Sequence, residues 1–323
     1  MNSKIRKPCF LFLASLAGLT TLAAQPPGPP GMLRGPAGYP VDLKPTHANI
    51  AYATVSPTQV VDIFTPEGEG PFPLLLNIHG GAFRMGSKEM LDAPVARKFL
   101  AAGIAVASVN YRLSGEAVFP AAVKDVKAAV RFLRANGAKY KLDGRIIAFG
   151  QSAGGNLAAL LGTSGGAEFF EDAALGNAGT SSDVQGVIDW FGPTDFSQMD
   201  AQAKAQGCPE RSQTHGAADS PESQYLGAPI AEVPELVRKA NPITYLSKDD
   251  PPFLLQKGTE DCIVPFAQSE LLAEALKSAG LKVSFDKIEG AGHGDMGSPV
   301  PLFLAEENIG KLLEFARGVF AMP

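Results

Sequence analysis

A serine between glycines is the clearest chemical signal in the sequence. Ser152 lies in the run GQSAG, which matches the pattern G-x-S-x-G, with the apolar stretch IIAF before it and NLAAL after it. Between a strand and a helix, this pattern places the serine on a sharp turn, where glycines two residues away avoid a clash and the hydroxyl projects above the sheet. We therefore interpret Ser152 as a nucleophile, in preference to a residue of an ordinary Gly/Ser turn.

A serine hydroxyl becomes an effective nucleophile beside a base, and the base needs an acid to orient it. In hydrolases that carry the serine on such a turn, the acid and then the histidine follow it along the chain. Of the two later histidines, His215 lies in the polar run RSQTHGAADS, with no strand before it. His293 follows the strand VSFDKIEG and has glycines on both sides. The sequence therefore predicts His293 as the base.

The acid is expected in the turn after the preceding strand, in the run KGTEDCIVP. Glu260 and Asp261 both qualify by residue type. Asp261 fits the pattern G-x-x-D-x-x-V-P that is common at this turn, so we predict that it orients His293 and that Glu260 is a solvated neighbour. Asp189 and Asp195 come before this turn and remain alternatives, with a strand end and an ordinary turn as their simpler roles.

Small residues after the first buried strand could stabilise a developing oxyanion. The run HGGAF, residues 79–83, follows the stretch PLLLNI and resembles the HGGG loop of lipases and esterases. We predict that the backbone N–H groups of Gly81, Ala82 and Ala153 form an oxyanion hole. An ordinary glycine turn is the alternative. His79 is predicted to hydrogen-bond the loop and not to act as the base.

These residues fall at the ends of strands in a regular alternation of strands and helices. After a hairpin at 50–55 and 59–64, the predicted strands are 73–79, 104–109, 145–149, 184–190, 253–256 and 282–288, and the predicted helices are 90–101, 121–135, 153–161, 266–279 and 302–320. Such repeats build a mostly parallel α/β sheet covered by helices on both faces, with the site at its carboxyl edge. The irregular residues 192–230 are predicted to form a lid-like insertion over that edge, after the fourth parallel strand.

Five motifs together resemble a known group of enzymes. HGGAF, NYRL…FP…D, GQSAGG, GTEDCIVP and GAGHG are similar to the α/β-hydrolase esterases of the hormone-sensitive-lipase and feruloyl-esterase-like groups, from about residue 50 to the C-terminus. The resemblance implies the α/β-hydrolase fold, the triad Ser152, Asp261 and His293, carboxylic ester substrates, and neither a metal nor another cofactor. Arg112 and Asp125 belong to the resembling segment, and we predict structural roles for both.

Substrate choice is expected to depend on the insertion and on the loops beside it, an inference from position alone. The predicted substrate contacts are Phe83, Trp190, Phe191 and Tyr225. The substrate itself is expected to be a small-molecule ester or an ester attached to a polysaccharide.

The N-terminus has the pattern of an export signal. Basic residues precede the apolar run 9–19, and small residues follow at 21, 23 and 24. We predict a signal peptide at 1–24, because the apolar run is shorter than the roughly 20 residues that a membrane anchor needs. The Pro- and Gly-rich residues 25–45 are predicted to form a linker, and residues 46–323 the catalytic domain.

Charge and cysteine content narrow the partners and the compartment. The formal net charge is −5, and no Lys/Arg-rich run follows the N-terminal segment, which argues against nucleic acid as a partner. No later segment has the length and apolarity of a membrane span. Cys208 and Cys262 remain after the predicted cleavage, and in an exported protein such a pair favours a disulfide over two free thiols.

The sequence therefore predicts an exported serine carboxylesterase that forms an acyl-enzyme on Ser152, with feruloyl and acetyl esters among the candidate substrates. A peptidase of the prolyl-oligopeptidase-like kind shares the order of the triad, but it usually carries a large propeller domain, for which this chain has no room. A non-catalytic, hydrolase-like binding module is the other alternative. Such modules typically lack a triad residue, whereas all three candidates are present here.

Overall fold

An eight-stranded sheet organises the protein. The computed structural model describes residues 39–296 and 298–321. The order of the strands across the sheet is β1-β2-β4-β3-β5-β6-β7-β8. Their bounds are β1 His47–Ala51, β2 Val60–Phe64, β3 Phe72–Ile78, β4 Ala105–Val109, β5 Leu142–Gln151, β6 Gly186–Trp190, β7 Phe253–Gly258 and β8 Val283–Ile288.

Six of the strands, β3 to β8, run parallel, and β1 and β2 add an antiparallel edge. At the centre, Leu76 of β3 pairs with Ala107 of β4 on one side and with Ala148 of β5 on the other. All three side chains are fully buried. Parallel strands have their carboxyl ends at one edge, so the loops after β3, β5, β7 and β8 meet there.

Helices cover both faces of the sheet, as expected for strands with near-continuous apolar runs. Helices α2, α3 and α7 contribute to one hydrophobic cluster, and α1 and α8 to the other. The helices are α1 Ala93–Ala101, α2 Ala121–Ala135, α3 Ala153–Thr163, α4 Met199–Ala205, α5 Pro221–Leu226, α6 Pro234–Ala240, α7 Phe266–Ser278 and α8 Glu306–Phe320. No helix within the two described ranges is long and apolar enough to cross a membrane.

The predicted fold class is confirmed, and most of the predicted elements differ from the observed ones only at their ends. The insertion is longer than the predicted 192–230, since it occupies the whole stretch between β6 and β7. It contains three helices of six or seven residues, α4, α5 and α6. Helices this short show too few turns for a periodic apolar stripe to be recognised in sequence.

The predicted linker at 25–45 is wrong for its last seven residues. Tyr39 donates a hydrogen bond to Asp62 Oδ2 at 3.0 Å and packs edge-to-face on Phe64. Leu43 is buried in the cluster that contains α1 and α8. The folded domain thus includes residues from Tyr39 onward, because two large apolar side chains outweigh the surrounding prolines and glycines. The predicted signal peptide and the rest of the predicted linker lie outside the described residues.

A buried carboxylate in α2 connects the antiparallel edge to the loop after β4. Asp125 is fully buried and accepts a hydrogen bond from Gln59 Nε2 at 2.7 Å. It also accepts bonds from the backbone N–H of Arg112 and from the Arg112 guanidinium at 2.8–2.9 Å. The predicted structural role of these two residues agrees with this network.

Removal of this carboxylate should destabilise the fold strongly. We expect Asp125→Ala to lower the free energy of unfolding by about 3–5 kcal/mol, because it leaves the Arg112 charge and the Gln59 amide without their buried partner. Asp42→Ala is the matched control, since Asp42 pairs with Arg97 but its side chain is 65% exposed. Urea unfolding would measure both variants, and equal losses would contradict the assignment.

Candidate active site

Ser152 lies at the junction of β5 and α3 in a strained backbone conformation. Its φ of 55° and ψ of −121° belong to a region that non-glycine residues seldom occupy. Glycine is required nearby, because a Cβ on Gly150 would lie 1.9 Å from the Gly154 carbonyl oxygen. A Cβ on Gly154 would lie 2.0 Å from the carbonyl oxygen of Ile78 in β3. The tight packing of β3, β5 and α3 therefore holds Ser152 at the carboxyl edge of the sheet.

Three distant side chains converge at this edge. His293 Nε2 lies 2.8 Å from Ser152 Oγ, and His293 Nδ1 lies 2.8 Å from Asp261 Oδ2. With the proton on Nδ1, the imidazole donates to the carboxylate and accepts from the serine hydroxyl, which is the arrangement that activates a serine. The structure thus brings together the three residues that the sequence singled out.

The carboxylate of Asp261 has no exposed surface and is surrounded by donors. Its Oδ1 accepts hydrogen bonds from the backbone N–H groups of Ile263 and Val264, each at 2.9 Å. Its Oδ2 accepts from His293 and from Lys257 Nζ, the latter at 2.6 Å. Burial alone would raise the pKa of Asp261, but His293 and Lys257 outweigh burial and hold it well below its usual range. The group therefore remains an anion at neutral pH.

The loops after β7 and β8 are in direct contact, which brings the acid to the histidine. Glu260 N–H donates to the carbonyl of Ala291 at 2.9 Å, and a Cβ on Gly258 would lie 2.2 Å from the Gly292 oxygen. The Glu260 side chain is exposed, as its predicted role as a solvated neighbour requires.

The alternative acids and the alternative base lie elsewhere. Asp189 Oδ1 accepts a hydrogen bond from the backbone of Gly192, and Asp195 caps the short turn at Ser197. His215 Nδ1 lies 3.2 Å from Glu222 Oε1 inside the insertion. None of the three is bonded to Ser152 or His293 in the described part of the chain.

The loop after β3 lies against the nucleophile. A Cβ on Gly80 would lie 3.3 Å from Ser152 Cβ, and positive φ angles follow at Gly81, Ala82 and Phe83 (115°, 55° and 58°). Within residues 39–296 and 298–321, the N–H groups of Gly81, Ala82 and Ala153 donate to no protein acceptor. The Ala153 N–H is free because it belongs to the first turn of α3. These three groups are therefore available to a negatively charged oxygen.

The side chain of His79 stabilises the loop after β3. Its ring stacks on Tyr111 with centroids 4.4 Å apart, and its Nδ1 lies 2.7 Å from the Gly80 carbonyl oxygen. Burial lowers the pKa of His79 to about 4, although the hydrogen bond to Gly80 acts in the opposite direction. The imidazole is therefore neutral at pH 7 and donates its Nδ1 proton to the carbonyl. This placement agrees with the predicted structural role.

The four predicted substrate contacts occupy different environments. Phe191 packs on the His293 ring with centroids 4.6 Å apart, and Phe83 of the β3 loop stacks on Tyr225 of α5 at 3.9 Å. Trp190 must be reassigned to the core, because only 1% of it is exposed and its ring packs edge-to-face on Phe149. Its Nε1 donates to Gln256, so the indole is fully used inside the protein. Phe83 and Tyr225 must be reassigned to the core by the same measure, because only 2% and 1% of them are exposed. Phe191, which packs on His293, stays a prediction.

The insertion is tied to the loop that carries the acid. A disulfide joins Cys208, which follows α4, to Cys262, the neighbour of Asp261. Gln206 adds two hydrogen bonds, one to the Asp261 carbonyl at 2.9 Å and one from Phe266 N–H at 2.8 Å. The covalent and polar links together fix the end of α4 beside the triad.

The sequence motifs did not predict two polar residues that lie beside the triad. Lys257 lies at the end of β7, with its side chain fully buried against Asp261. Asp92, just before α1, accepts a hydrogen bond from Gln151, the residue before the nucleophile. A lysine inside a strand that begins with the apolar run FLL is a recognisable signal, because a parallel strand buries both of its faces. In the described ranges, no His, Cys, Asp and Glu side chains form a group that could hold a metal ion.

A mostly parallel sheet with this serine junction and this Ser-His-Asp arrangement defines an α/β hydrolase. The chain belongs to the BD-FAE family, whose model matches residues 61–276. The resemblance to feruloyl-esterase-like proteins is thereby confirmed.

Two relatives of similar sequence are named esterases. Esterase LipC of Mycobacterium tuberculosis is 31% identical over 242 residues, which are 74% of this chain and 57% of LipC. Esterase LipQ of the same organism is 30% identical and covers 76% of this chain and 56% of its own length. The chain thus spans a little over half the length of these relatives.

Two similar solved structures align with a larger share of this chain than these two relatives do. A truncated carbohydrate esterase from gut microbiota is 31% identical, with a TM-score of 0.77 over 88% of this chain and 100% of its own. A bifunctional GH43-CE protein of Bacteroides eggerthii is 34% identical, with a TM-score of 0.75 over 84% of this chain and 35% of its own.

Asp92 should make stability depend on pH. Burial raises its pKa to about 6, with Asp295 adding to the rise and Gln151 opposing it. The folded state then binds a proton more readily than the unfolded chain, whose carboxyls titrate near pH 4, so the folded protein gains stability as the pH falls from about 6 to about 4. We expect Asp92→Asn to raise the Tm at pH 8, with a gain that shrinks over this range.

Thermal unfolding from pH 4 to pH 8 would measure the gain. The control is Asp42→Asn, because the ion pair with Arg97 lowers the pKa of Asp42 and the variant should show no gain at pH 8. A gain in Asp92→Asn that is independent of pH would contradict the raised pKa.

Proposed function

We propose that this protein is a serine carboxylesterase that works through an acyl-enzyme on Ser152. The observation that carries the proposal is the continuous hydrogen-bond chain from Ser152 Oγ through His293 to Asp261, next to three free backbone N–H groups. The family and the named esterases among the relatives support the same chemistry.

The reaction has two steps. Ser152 Oγ attacks the ester carbonyl carbon while His293 Nε2 takes the hydroxyl proton, and the N–H groups of Gly81, Ala82 and Ala153 stabilise the oxyanion. The imidazolium then gives its proton to the departing alcohol. A water molecule, deprotonated by His293, attacks the acyl-enzyme, and collapse of the second oxyanion returns the acid and free Ser152.

The alcohol part of the substrate is proposed to be a carbohydrate. One similar solved structure, at 31% identity, is described as a carbohydrate esterase, and a second, at 34% identity, as a bifunctional GH43-CE protein. The insertion between β6 and β7 is the candidate surface for the alcohol and acyl groups, because it is fixed beside Asp261 and its first residue, Phe191, packs on His293. A panel of acetyl, butyryl, long-chain and feruloyl esters, each as a simple alkyl ester and as a sugar ester, would test both parts.

Removal of the nucleophile should abolish turnover. We expect Ser152→Ala to lower kcat with p-nitrophenyl acetate by about 10⁵- to 10⁶-fold, since the acyl-enzyme can no longer form. Ser197→Ala, a change in an exposed serine of the insertion, should leave kcat unchanged. A Ser152→Ala variant with wild-type turnover would disprove the mechanism.

The same proteins separate the rival functions. A peptidase of the prolyl-oligopeptidase-like kind would cleave aminoacyl-proline anilides faster than p-nitrophenyl esters, and an esterase would show the reverse preference. A non-catalytic binding module would not react with a fluorophosphonate probe. We expect the probe to label wild type and Ser197→Ala, and not Ser152→Ala.

We also propose that the protein is exported. The basic and apolar pattern of residues 1–24 supports this, and so does the disulfide between Cys208 and Cys262, because disulfides persist in oxidising compartments. Expression of the full chain in a bacterial host should give protein outside the cytoplasm, with a mature N-terminus near Ala24 by mass spectrometry. A variant without residues 1–24 should stay inside, and export of that variant would contradict the signal.

A further inference from the structure

The acid of the triad forms an ion pair with a buried lysine, Lys257. Lys257 is the fifth residue of β7, and neither its side chain nor that of Asp261 has any exposed surface. Its Nζ donates to Asp261 Oδ2 at 2.6 Å and to the carbonyl oxygen of Val264 at 2.5 Å. The lysine therefore bonds both the acid and the backbone of the loop that holds the acid.

One oxygen of the carboxylate serves two partners. Asp261 Oδ2 accepts from Lys257 Nζ and from His293 Nδ1, whereas Oδ1 accepts from two backbone N–H groups. Each of the two carboxylate oxygens therefore accepts two hydrogen bonds, which together fix the orientation of the Asp261 side chain. Because Lys257 already balances the negative charge, a positive charge on His293 gains less from Asp261 than it would from an isolated carboxylate.

Other titratable groups face this pair. Asp189 of β6 interacts with the Lys257 charge, and burial raises the pKa of Asp189 to about 6. His215 of the insertion interacts electrostatically with Asp261. Burial acts to lower the pKa of His215, but Glu222, Asp200 and Asp261 together raise it. The titration of His215 can therefore contribute to the pH dependence of activity, and a control without this imidazole is needed.

We propose that Lys257 is a positioning residue of the triad, which holds the Asp261 carboxylate against His293 and, by balancing part of the negative charge of Asp261, sets the pH at which activity falls on the acid side. Lys257 touches neither Ser152 nor the substrate in this role and acts through Asp261. This inference rests on the proposed esterase function. It adds to that function a residue that sets the acid limit of activity.

Two substitutions at Lys257 test the charge separately from the hydrogen bond. Lys257→Met removes both, and Lys257→Gln keeps an amide donor toward Asp261 but no charge. In both variants we expect the acid limb of kcat/KM with p-nitrophenyl acetate to move up by about one pH unit, since an imidazolium is then the only cation beside the carboxylate. A wild-type acid limb in either variant would overturn the proposal.

Lys127 provides a matched control. It is another lysine with a fully buried side chain, on α2, where its Nζ bonds Glu171 and the Ser164 carbonyl. Lys127→Met should lower stability, as Lys257→Met should, but it should leave the acid limb in place. A shift of the limb in Lys127→Met would make the effect a general result of losing a buried cation and would overturn the specific role of Lys257.

The background variant His215→Gln removes the other imidazole. The upward shift caused by Lys257→Met should persist in that background. Its disappearance would assign the pH dependence to His215 and would also overturn the proposal.

A measurement on the wild-type protein requires no substitution at Lys257. In protein labelled with ¹⁵N-lysine and ¹³C-aspartate, NMR should show a protonated Lys257 ammonium and an ionised Asp261 across the acid limb. A neutral Lys257 amine at pH 7 would contradict the proposal, even if both variants failed to fold.

Failure of the inference can be told apart from failure of the proposed function. If wild type neither hydrolyses esters nor reacts with the fluorophosphonate probe, the esterase proposal is wrong. If wild type does both and the acid limb ignores Lys257, only the role of Lys257 is wrong.

Discussion

The buried carboxylate of Asp261 is the interaction on which the rest of the site depends. An isolated carboxylate without exposure would be expelled or protonated, because desolvation penalises its charge by several kcal/mol. Here four donors from three chain segments surround it: two backbone N–H groups, Lys257 and His293. Each donor satisfies the anion and is positioned by it in return. The loops after β7 and β8 thereby become one unit, and the imidazole points at the serine.

Much of this arrangement could be predicted, because the relevant information is local in the sequence. Each active-site loop directly follows an apolar strand, and glycine patterns at Ser152 and His293 show where the backbone must turn sharply. Parallel strands place their carboxyl ends at one edge, so residues far apart in sequence are expected to meet there. His293 does lie within hydrogen-bonding distance of both Ser152 and Asp261.

The remaining features depend on contacts that a linear pattern does not encode. Trp190 and Phe191 are adjacent and both aromatic, yet Trp190 packs on Phe149 in the core, whereas Phe191, with a φ of 47° just after the strand end, packs on His293. Tyr39 joins the fold through Asp62 and Phe64, partners that no motif in a Pro-rich segment indicates. The pairing of Lys257 with Asp261 depends on the turn after β7, which brings the Asp261 carboxylate to the lysine ammonium.

The disulfide between Cys208 and Cys262 divides the insertion into two parts. Residues between β6 and Cys208 are held against the triad, while residues 209–252 form a closed segment that leaves the bridge and returns to β7. Changes of length or sequence within that segment need not move Asp261, because the covalent bond and Gln206 fix its base. The architecture therefore separates a segment in which insertions and substitutions are tolerated from the loop that carries Asp261.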